Sequence, residues 1–261
     1  MQVLITSDYG QMSGLAARIV AGAVREKGDL VLGLATGSTP EGLYEGLIRA
    51  HREEGLDFSR VVTFNLDEYV GLGPDHPQSY RYFMNEKLFD HVNIRLENTH
   101  VPDGLAEPLS EHCAAYEQNI AEAGGIDLQV LGIGRDGHIG FNEPGTSLGG
   151  DTHVAALAEE TVRDNARFFD SADEVPRLAV TMGVGTVMRA RKCLLLASGE
   201  SKADAVKAAI EGAVSAMVPA SALQMHPATV AVLDEAAAAK LERLDFYRWQ
   251  QRNLHGVSDR T

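Results

Sequence analysis

Hydrophobic positions along the chain alternate between the spacing of helices and that of strands. Residues 12–26 place apolar side chains on one helical stripe, and residues 29–35 form a continuous apolar run of strand length. The other predicted elements are strands at 1–5, 61–64, 126–133, 193–197 and 229–233, a helix that begins with the Ser38-x-x-Glu41 pattern, and helices at 108–123, 202–211 and 234–251.

Strands separated by helices predict parallel βαβ units with both faces of the sheet covered. We therefore expect an α/β fold, a three-layer α-β-α sandwich with a mostly parallel sheet. No internal repeat or low-complexity linker interrupts the sequence, so residues 1–261 are predicted to form a single domain.

Composition narrows the class of partner. A net charge of −14 argues against nucleic acid and anionic membranes as partners, because neutralising phosphates needs clustered Lys and Arg. The two cysteines form no C-x-x-C motif, which predicts neither a disulfide framework nor a zinc ribbon. The apolar run at 1–5 is too short for a signal peptide and no stretch is long enough for a membrane span, so we expect a cytoplasmic protein.

Two predicted strands end in polar residues, at the edge of the sheet where α/β folds bind ligands. The turn at 36–40 reads Thr-Gly-Ser-Thr-Pro and leads into a helix. Its N–H groups and hydroxyls suit an anion, although a plain helix cap explains the same residues. After the strand that ends at Phe64, Asp67 and Glu68 point to opposite sides if the strand continues. Asp67 is then a candidate base, and a cap or a surface acid pair is the alternative.

The segment from Gly132 to Pro144 carries the most candidate chemistry. Its G-x-G-x-x-G start suggests a dinucleotide site, but a Rossmann turn must open a helix, and glycines and Pro144 follow instead. What remains is a glycine-rich loop that presents Asp136, His138 and Glu143, and a histidine flanked by carboxylates suits proton transfer. A metal site is a weaker alternative because His138 is the one strong nitrogen ligand nearby, and a structural His–Asp loop is another.

A further turn, at residues 198–202, also leads into a helix. Lys202 and the first-turn N–H groups could hold a phosphate, with Arg167 as a second cation. On this evidence alone, ordinary solvated charges are the better explanation of both residues.

Taken in order, these segments resemble the glucosamine-6-phosphate deaminase family, which shares its superfamily fold with ribose-5-phosphate isomerase and 6-phosphogluconolactonase. The resemblance is collinear from about Val31 to Leu233 and implies a modified Rossmann-like sheet. Its carriers are residues 34–40, 62–72, 132–144, 166–169 and 219–227.

The resemblance also implies roles for single residues. Asp67 would move the C2 proton of the opened sugar to C1. His138, assisted by Asp136 and Glu143, would open the ring, and we expect its imidazole to be neutral. The residues implied to bind the phosphate are Gly37, Ser38, Thr39, Arg167 and Lys202.

The reaction implied by the resemblance is an aldose–ketose isomerisation coupled to deamination, which converts glucosamine 6-phosphate and water to fructose 6-phosphate and ammonia in amino-sugar catabolism. It requires no metal, flavin or nicotinamide, so no cofactor is expected. The expected partner is a small phosphosugar, and a homo-oligomer is possible.

The chain departs from the allosterically activated members of that family. Those members bind N-acetylglucosamine 6-phosphate between subunits through an Arg, a Lys two residues later and a Tyr near the C-terminus. The aligned positions hold His153, Ala155 and Phe246, with Tyr247 adjacent, so weak or absent activation is expected. Residues 157–178 correspond to the family's mobile lid.

Two other functions are compatible with parts of this pattern. A 6-phosphogluconolactonase could share the phosphate turn and a catalytic His, but ester hydrolysis does not need the base Asp67. A sugar-phosphate sensor needs neither a base nor a proton shuttle. His226 and Trp249 have no assigned role, and the pattern favours packing over chemistry for both.

Overall fold

The computed structural model describes residues 1–159, 162, 169 and 174–254. Its strands in chain order are β1 (Gln2–Thr6), β2 (Val31–Leu34), β3 (Val62–Asn65), β4 (Asp67–Tyr69), β5 (Thr99–His100), β6 (Leu128–Leu131), β7 (His153–Ala156), β8 (Leu178–Thr181), β9 (Lys192–Ala197) and β10 (Thr229–Asp234). Seven strands form a parallel sheet in the order β1-β10-β9-β6-β2-β3-β5. A smaller sheet has the order β4-β8-β7, with antiparallel neighbours.

Helices cover both faces of the parallel sheet. They are α1 (Tyr9–Glu26), α2 (Glu41–Glu54), α3 (Tyr80–Lys87), α4 (Leu109–Glu122), α5 (Val184–Met188), α6 (Ala203–Glu211) and α7 (Leu244–Leu254). Short 3-10 segments lie at Phe89–His91, Leu96–Asn98, Glu200–Lys202 and Pro219–Met225. None of the described helices is both long enough and apolar enough to cross a bilayer.

Alternation of side chains along the strands divides the core into two layers. In β2, Val31 faces the cluster that includes buried side chains of α4 to α7, whereas Leu32 and Leu34 face the cluster with α1, α2 and α3. The predicted three-layer α-β-α sandwich with a mostly parallel sheet is therefore confirmed.

Two predicted helix starts are wrong. The predicted helix 234–251 begins at Leu244, because Asp234 ends β10 and its carboxylate accepts hydrogen bonds from the N–H groups of Gly199 and Ala237. Ser38 does not cap α2, which begins at Glu41 without a side-chain cap. The residues after Asp234 and around Ser38 therefore form turns at the ligand-binding edge of the sheet.

The small antiparallel sheet is the main feature that the sequence did not predict. It places β4 beside β8, with Asp67 opposite Thr181. The predicted lid 157–178 connects β7 to β8, and the N–H of Leu157 donates to the carbonyl of Arg177 over 2.9 Å. Leu178 already belongs to β8, and most of the segment between these ends lies outside the described residues.

Candidate functional site

A cavity of about 510 Å³ opens at the carboxyl ends of β2 and β6. The strand order runs outward in opposite directions from these two neighbours, which makes this place the topological switch point of the sheet. Seven of the nine predicted site residues line the cavity: Gly37, Ser38, Thr39, Asp67, Asp136, His138 and Lys202. The chain thus brings together residues that lie up to 165 positions apart in sequence.

Asp67 is held in the cavity by the first position of β4, and its side chain is almost fully buried. Burial and, to a smaller extent, the charge of Glu68 raise the pKa of this carboxyl to about 8, although the charge of His138 opposes both effects. Gly140 packs directly beside it, since a Cβ there would lie 3.4 Å from Oδ2 of Asp67 and 2.9 Å from Oγ1 of Thr181. A carboxylate with such a high proton affinity is suited to act as a general base.

His138 lies in the glycine-rich loop with two carboxylates at one of its ring nitrogens. Its Nδ1 is 2.8 Å from Oδ1 of Asp136 and 3.4 Å from Oε2 of Glu143. Asp136 also accepts a hydrogen bond from the backbone N–H of His138 over 3.1 Å. These contacts fix the ring from one side. Glu143 therefore acts on the site through the imidazole, outside the cavity lining.

The charge state of His138 differs from the expected one. Burial alone lowers the pKa of the imidazole, but the hydrogen bonds and negative charges of Asp136 and Glu143 outweigh burial and raise the pKa to about 9. In return, the imidazolium holds the pKa of Asp136 below its usual range, although burial opposes this. This direction disagrees with the expectation of a neutral imidazole and favours a protonated His138, able to donate a proton, at neutral pH.

The imidazole of His138 packs against the backbone of Gly134. A Cβ at this position would lie 2.3 Å from Cε1, 2.4 Å from Nδ1 and 2.6 Å from Cγ of His138. The N–H of Gly134 also donates to the carbonyl of His138 over 2.9 Å. The ring therefore packs flat against backbone that only glycine can supply.

The predicted phosphate turn precedes α2 on the cavity wall. Gly37 has φ +88°, a backbone conformation that favours glycine. Since α2 has no side-chain cap, Ser38 and Thr39 do not serve as its cap and line the cavity instead. The hydroxyl of Tyr9 donates to the carbonyl of Ser38 over 3.0 Å, which holds the turn against α1.

One of the two predicted phosphate cations can be placed. Lys202 reaches the cavity from the 3-10 turn after β9, and its Nζ donates to the carbonyl of Ile133 over 2.6 Å. This contact holds Lys202 against the start of the loop that carries His138. Arg167 lies outside the described residues, so its predicted role stays a prediction.

Sequence reasoning missed one wall of the cavity. This wall consists of α3, the residues 77–79 that precede it, and several aromatic rings. The rings of Tyr69 and Tyr80 lie 5.5 and 6.1 Å from that of Phe141, centroid to centroid. On the same wall, Nζ of Lys87 lies 3.6 Å from a carboxylate oxygen of Glu41. The signal available in the sequence was weak, because no helix was predicted where α3 lies.

The loop could also bind a cation. Asp136, His138 and Glu143 each place a potential ligand atom within 4.8 Å of the other two. One nitrogen and two carboxylates suit several divalent ions. The predicted absence of a metal therefore stays a prediction, to be tested by chelation.

The two residues for which packing was favoured lie outside the cavity lining. His226 is buried, its Nε2 is 2.7 Å from the carbonyl of Ala190, and its Nδ1 accepts from the N–H of Ala228. Trp249 is exposed on α7 and stacks on Phe246 with ring centroids 6.4 Å apart.

Comparison with known proteins finds a matching family and close relatives of this chain. The family of glucosamine-6-phosphate isomerases/6-phosphogluconolactonase matches residues 10–232. The glucosamine-6-phosphate deaminase of Thermoanaerobacter pseudethanolicus is 55% identical over 92% of this chain and 94% of its own. That of Clostridium perfringens is 53% identical over 93% of this chain and 100% of its own.

Solved structures give the same result. A structure described as a monomeric glucosamine-6-phosphate deaminase superposes with a TM-score of 0.90 and 48% identity, over 92% of this chain and all of that one. A 6-phosphogluconolactonase from Trypanosoma brucei shares the fold, with a TM-score of 0.74 at 20% identity over 92% of this chain and 98% of that one. The chain belongs to the family of glucosamine-6-phosphate isomerases and 6-phosphogluconolactonases.

Proposed function

We propose that the chain is an enzyme that converts glucosamine 6-phosphate and water to fructose 6-phosphate and ammonia, by aldose–ketose isomerisation coupled to deamination. The observation that carries this proposal is the buried carboxylate of Asp67 in one cavity with the His138 cluster and the phosphate turn. Relatives more than 50% identical are named glucosamine-6-phosphate deaminase, which favours deamination over lactone hydrolysis.

The phosphate of the substrate binds first to the turn at 37–39 and to Lys202. Backbone N–H groups before α2 and the ammonium of Lys202 supply donors and positive charge for it in a chain of strongly negative net charge. We assign Arg167 to the same phosphate on the resemblance alone. This anchoring sets the sugar ring between His138 and Asp67.

Ring opening is the task of His138. A closed aminosugar has no acidic C–H, so a proton must reach the ring oxygen while the anomeric hydroxyl loses one. The imidazolium donates the first proton, and the carboxylates of Asp136 and Glu143 keep the ring oriented and stabilise its charge. A neutral imidazole results, which can then accept the hydroxyl proton.

Isomerisation is the task of Asp67. Opening creates a carbonyl at C1, which makes the C2 proton acidic enough for a positioned carboxylate. Asp67 takes this proton and returns it to C1, and burial makes its carboxylate a strong base. The C2 enolamine becomes an imine, water adds to C2, and ammonia leaves to give fructose 6-phosphate. None of these steps needs a metal or a redox cofactor, and we propose none.

An assay of ammonia release from glucosamine 6-phosphate, with and without a chelator, tests the proposal. We expect stoichiometric ammonia and fructose 6-phosphate in both conditions, and no acid release from 6-phosphogluconolactone. Binding of glucosamine 6-phosphate without turnover is the result expected of a sensor. Folded protein that releases no ammonia would contradict the proposal, and loss of activity on chelation would contradict its metal-free form.

Several wider properties are also proposed. We infer one domain over residues 1–261, a cytoplasmic location in keeping with the buried free thiols of Cys113 and Cys193, and a lid within residues 157–178. A homo-oligomer is allowed by the sequence, but the relative described as monomeric favours a monomer. Light scattering of the purified protein decides between them.

A further inference from the structure

Glu68 is a buried carboxylate that the mechanism above does not use. It follows Asp67 in β4, is 2% exposed, and does not line the cavity. A carboxylate in this position must be satisfied by donors inside the protein, because an unpartnered buried charge is costly. Within the described part of the chain, its three hydrogen-bond donors are all backbone N–H groups.

Two of these donors belong to the first turn of α3. Oε1 of Glu68 accepts from the N–H of Tyr80 over 2.9 Å, and Oε2 accepts from that of Arg81 over 3.0 Å. Oε1 also accepts from the N–H of Tyr69 over 2.8 Å. The first N–H groups of a helix have no partner within it, so one side chain satisfies both and binds α3 to β4. The guanidinium of Arg81 itself donates to Thr99, over 2.7 and 2.8 Å.

The segment that Glu68 holds is the cavity wall. Residues 77–80 and Phe83 line the cavity. Loss of the contact between Glu68 and α3 would loosen this wall from the strand that carries the base, to which the hydroxyl of Tyr80 also donates at Tyr69 over 3.3 Å. The same side chain keeps a negative charge one residue away from Asp67.

We propose that Glu68 is a positioning residue of the deamination site, which fixes the wall formed by the start of α3 against β4 and holds a negative charge beside Asp67. The inference rests on the proposed function. Glu68 makes Asp67 a stronger base by electrostatic repulsion, without touching the substrate.

The charged surroundings of Asp67 support this inference. The groups that act on or feel its charge are Glu68 in β4, His138 in the loop, Tyr80 in α3 and Tyr116 in α4. Burial raises the pKa of Glu68 to about 7, against its three N–H bonds and the positive charge of Arg81. The two carboxyls therefore titrate in the same pH range, in which the charge of Glu68 raises the pKa of Asp67.

Glu68→Gln removes the charge but keeps the size of the side chain. We expect the acidic limb of kcat/KM against pH to move down by about one pH unit, with a fall in kcat of about threefold to tenfold. Glu45→Gln is the matched control, because it removes an exposed carboxylate on α2 outside the cavity lining, and its profile should match that of the wild type. A limb that stays in place in folded Glu68→Gln would overturn the electrostatic part.

Glu68→Asp is the second variant. It separates the effect of the negative charge from the effect of the side-chain length that is needed to contact α3. It keeps the charge, so the acidic limb should stay in place, but it is one methylene too short to hold α3. Amide hydrogen exchange at Tyr80 and Arg81 should be at least tenfold faster than in wild type, and KM should rise. Unchanged exchange and KM would overturn the positioning part even if Glu68→Gln does not fold. Ammonia release by the wild type tests the proposed function separately, so the two failures are distinguishable.

Discussion

Gly134→Ala is expected to abolish most of the turnover without removing any group that takes part in the chemistry. The added Cβ would lie 2.3–2.6 Å from three atoms of the His138 ring, whereas ordinary contact needs at least 3.4 Å. The ring must therefore move by about 1 Å, and it can move only away from the backbone, out of its 2.8 Å contact with Asp136. A misplacement of about 1 Å in a catalytic group can cost about 100-fold in rate.

The assay is steady-state ammonia release from glucosamine 6-phosphate, with thermal unfolding measured in parallel. We expect kcat to fall about 100-fold while KM changes less than about threefold, since the phosphate contacts are elsewhere. Gly149→Ala is the control, because a Cβ at that loop position meets nothing within 4 Å and Gly149 does not line the cavity. A folded Gly134→Ala variant with kcat within threefold of wild type would refute the account of how His138 is held.

Three further predictions follow from the charges of the site. Asp67 must be ionised and has a pKa of about 8, whereas His138 must be protonated and has a pKa of about 9, so a kcat/KM profile should rise up to about pH 8 and fall above about pH 9; a profile that is flat from pH 6 to 8 contradicts this. Lys202→Met should raise KM about 10- to 100-fold with kcat nearly kept, since it removes a charged phosphate donor, and an unchanged KM for glucosamine 6-phosphate would exclude that role. N-acetylglucosamine 6-phosphate should not activate the enzyme, because His153 and Ala155 offer no permanent cation; a tenfold shift of the rate curve on its addition would show otherwise.

The sequence predicted the parallel sheet because its strands are largely buried and read mainly as apolar runs, as in β2. It did not predict β4, a three-residue strand in which two of the residues are acids. Burying acids opposes strand propensity, and only the partner β8 and the N–H donors around Glu68 explain why Asp67–Tyr69 pairs at all. Such tertiary compensation leaves no local signal.

In the candidate site, too, residues with a local sequence signal were predicted and features that depend on tertiary contacts were not. Asp67, Asp136 and His138 were predicted from the ends of strands, where parallel topology guarantees that they meet. The charge of the imidazole was not predicted, because it depends on Asp136 and Glu143 both lying near the same ring nitrogen of His138. The packing of the His138 ring against Gly134 was also not predicted. The sequence shows many glycines in this loop and does not reveal which one contacts the ring.

The role of Asp67 as the base is tested most directly by Asp67→Asn, assayed for ammonia release and, by calorimetry, for binding of glucosamine 6-phosphate. The buried carboxyl has a pKa raised from 3.8 to about 8, so its ionised form destabilises the fold above about pH 4, and the amide should be at least as stable as wild type at pH 7. We predict that ammonia release falls at least about 1,000-fold while the dissociation constant stays within about threefold. A folded variant that keeps a tenth of the wild-type rate would contradict the account.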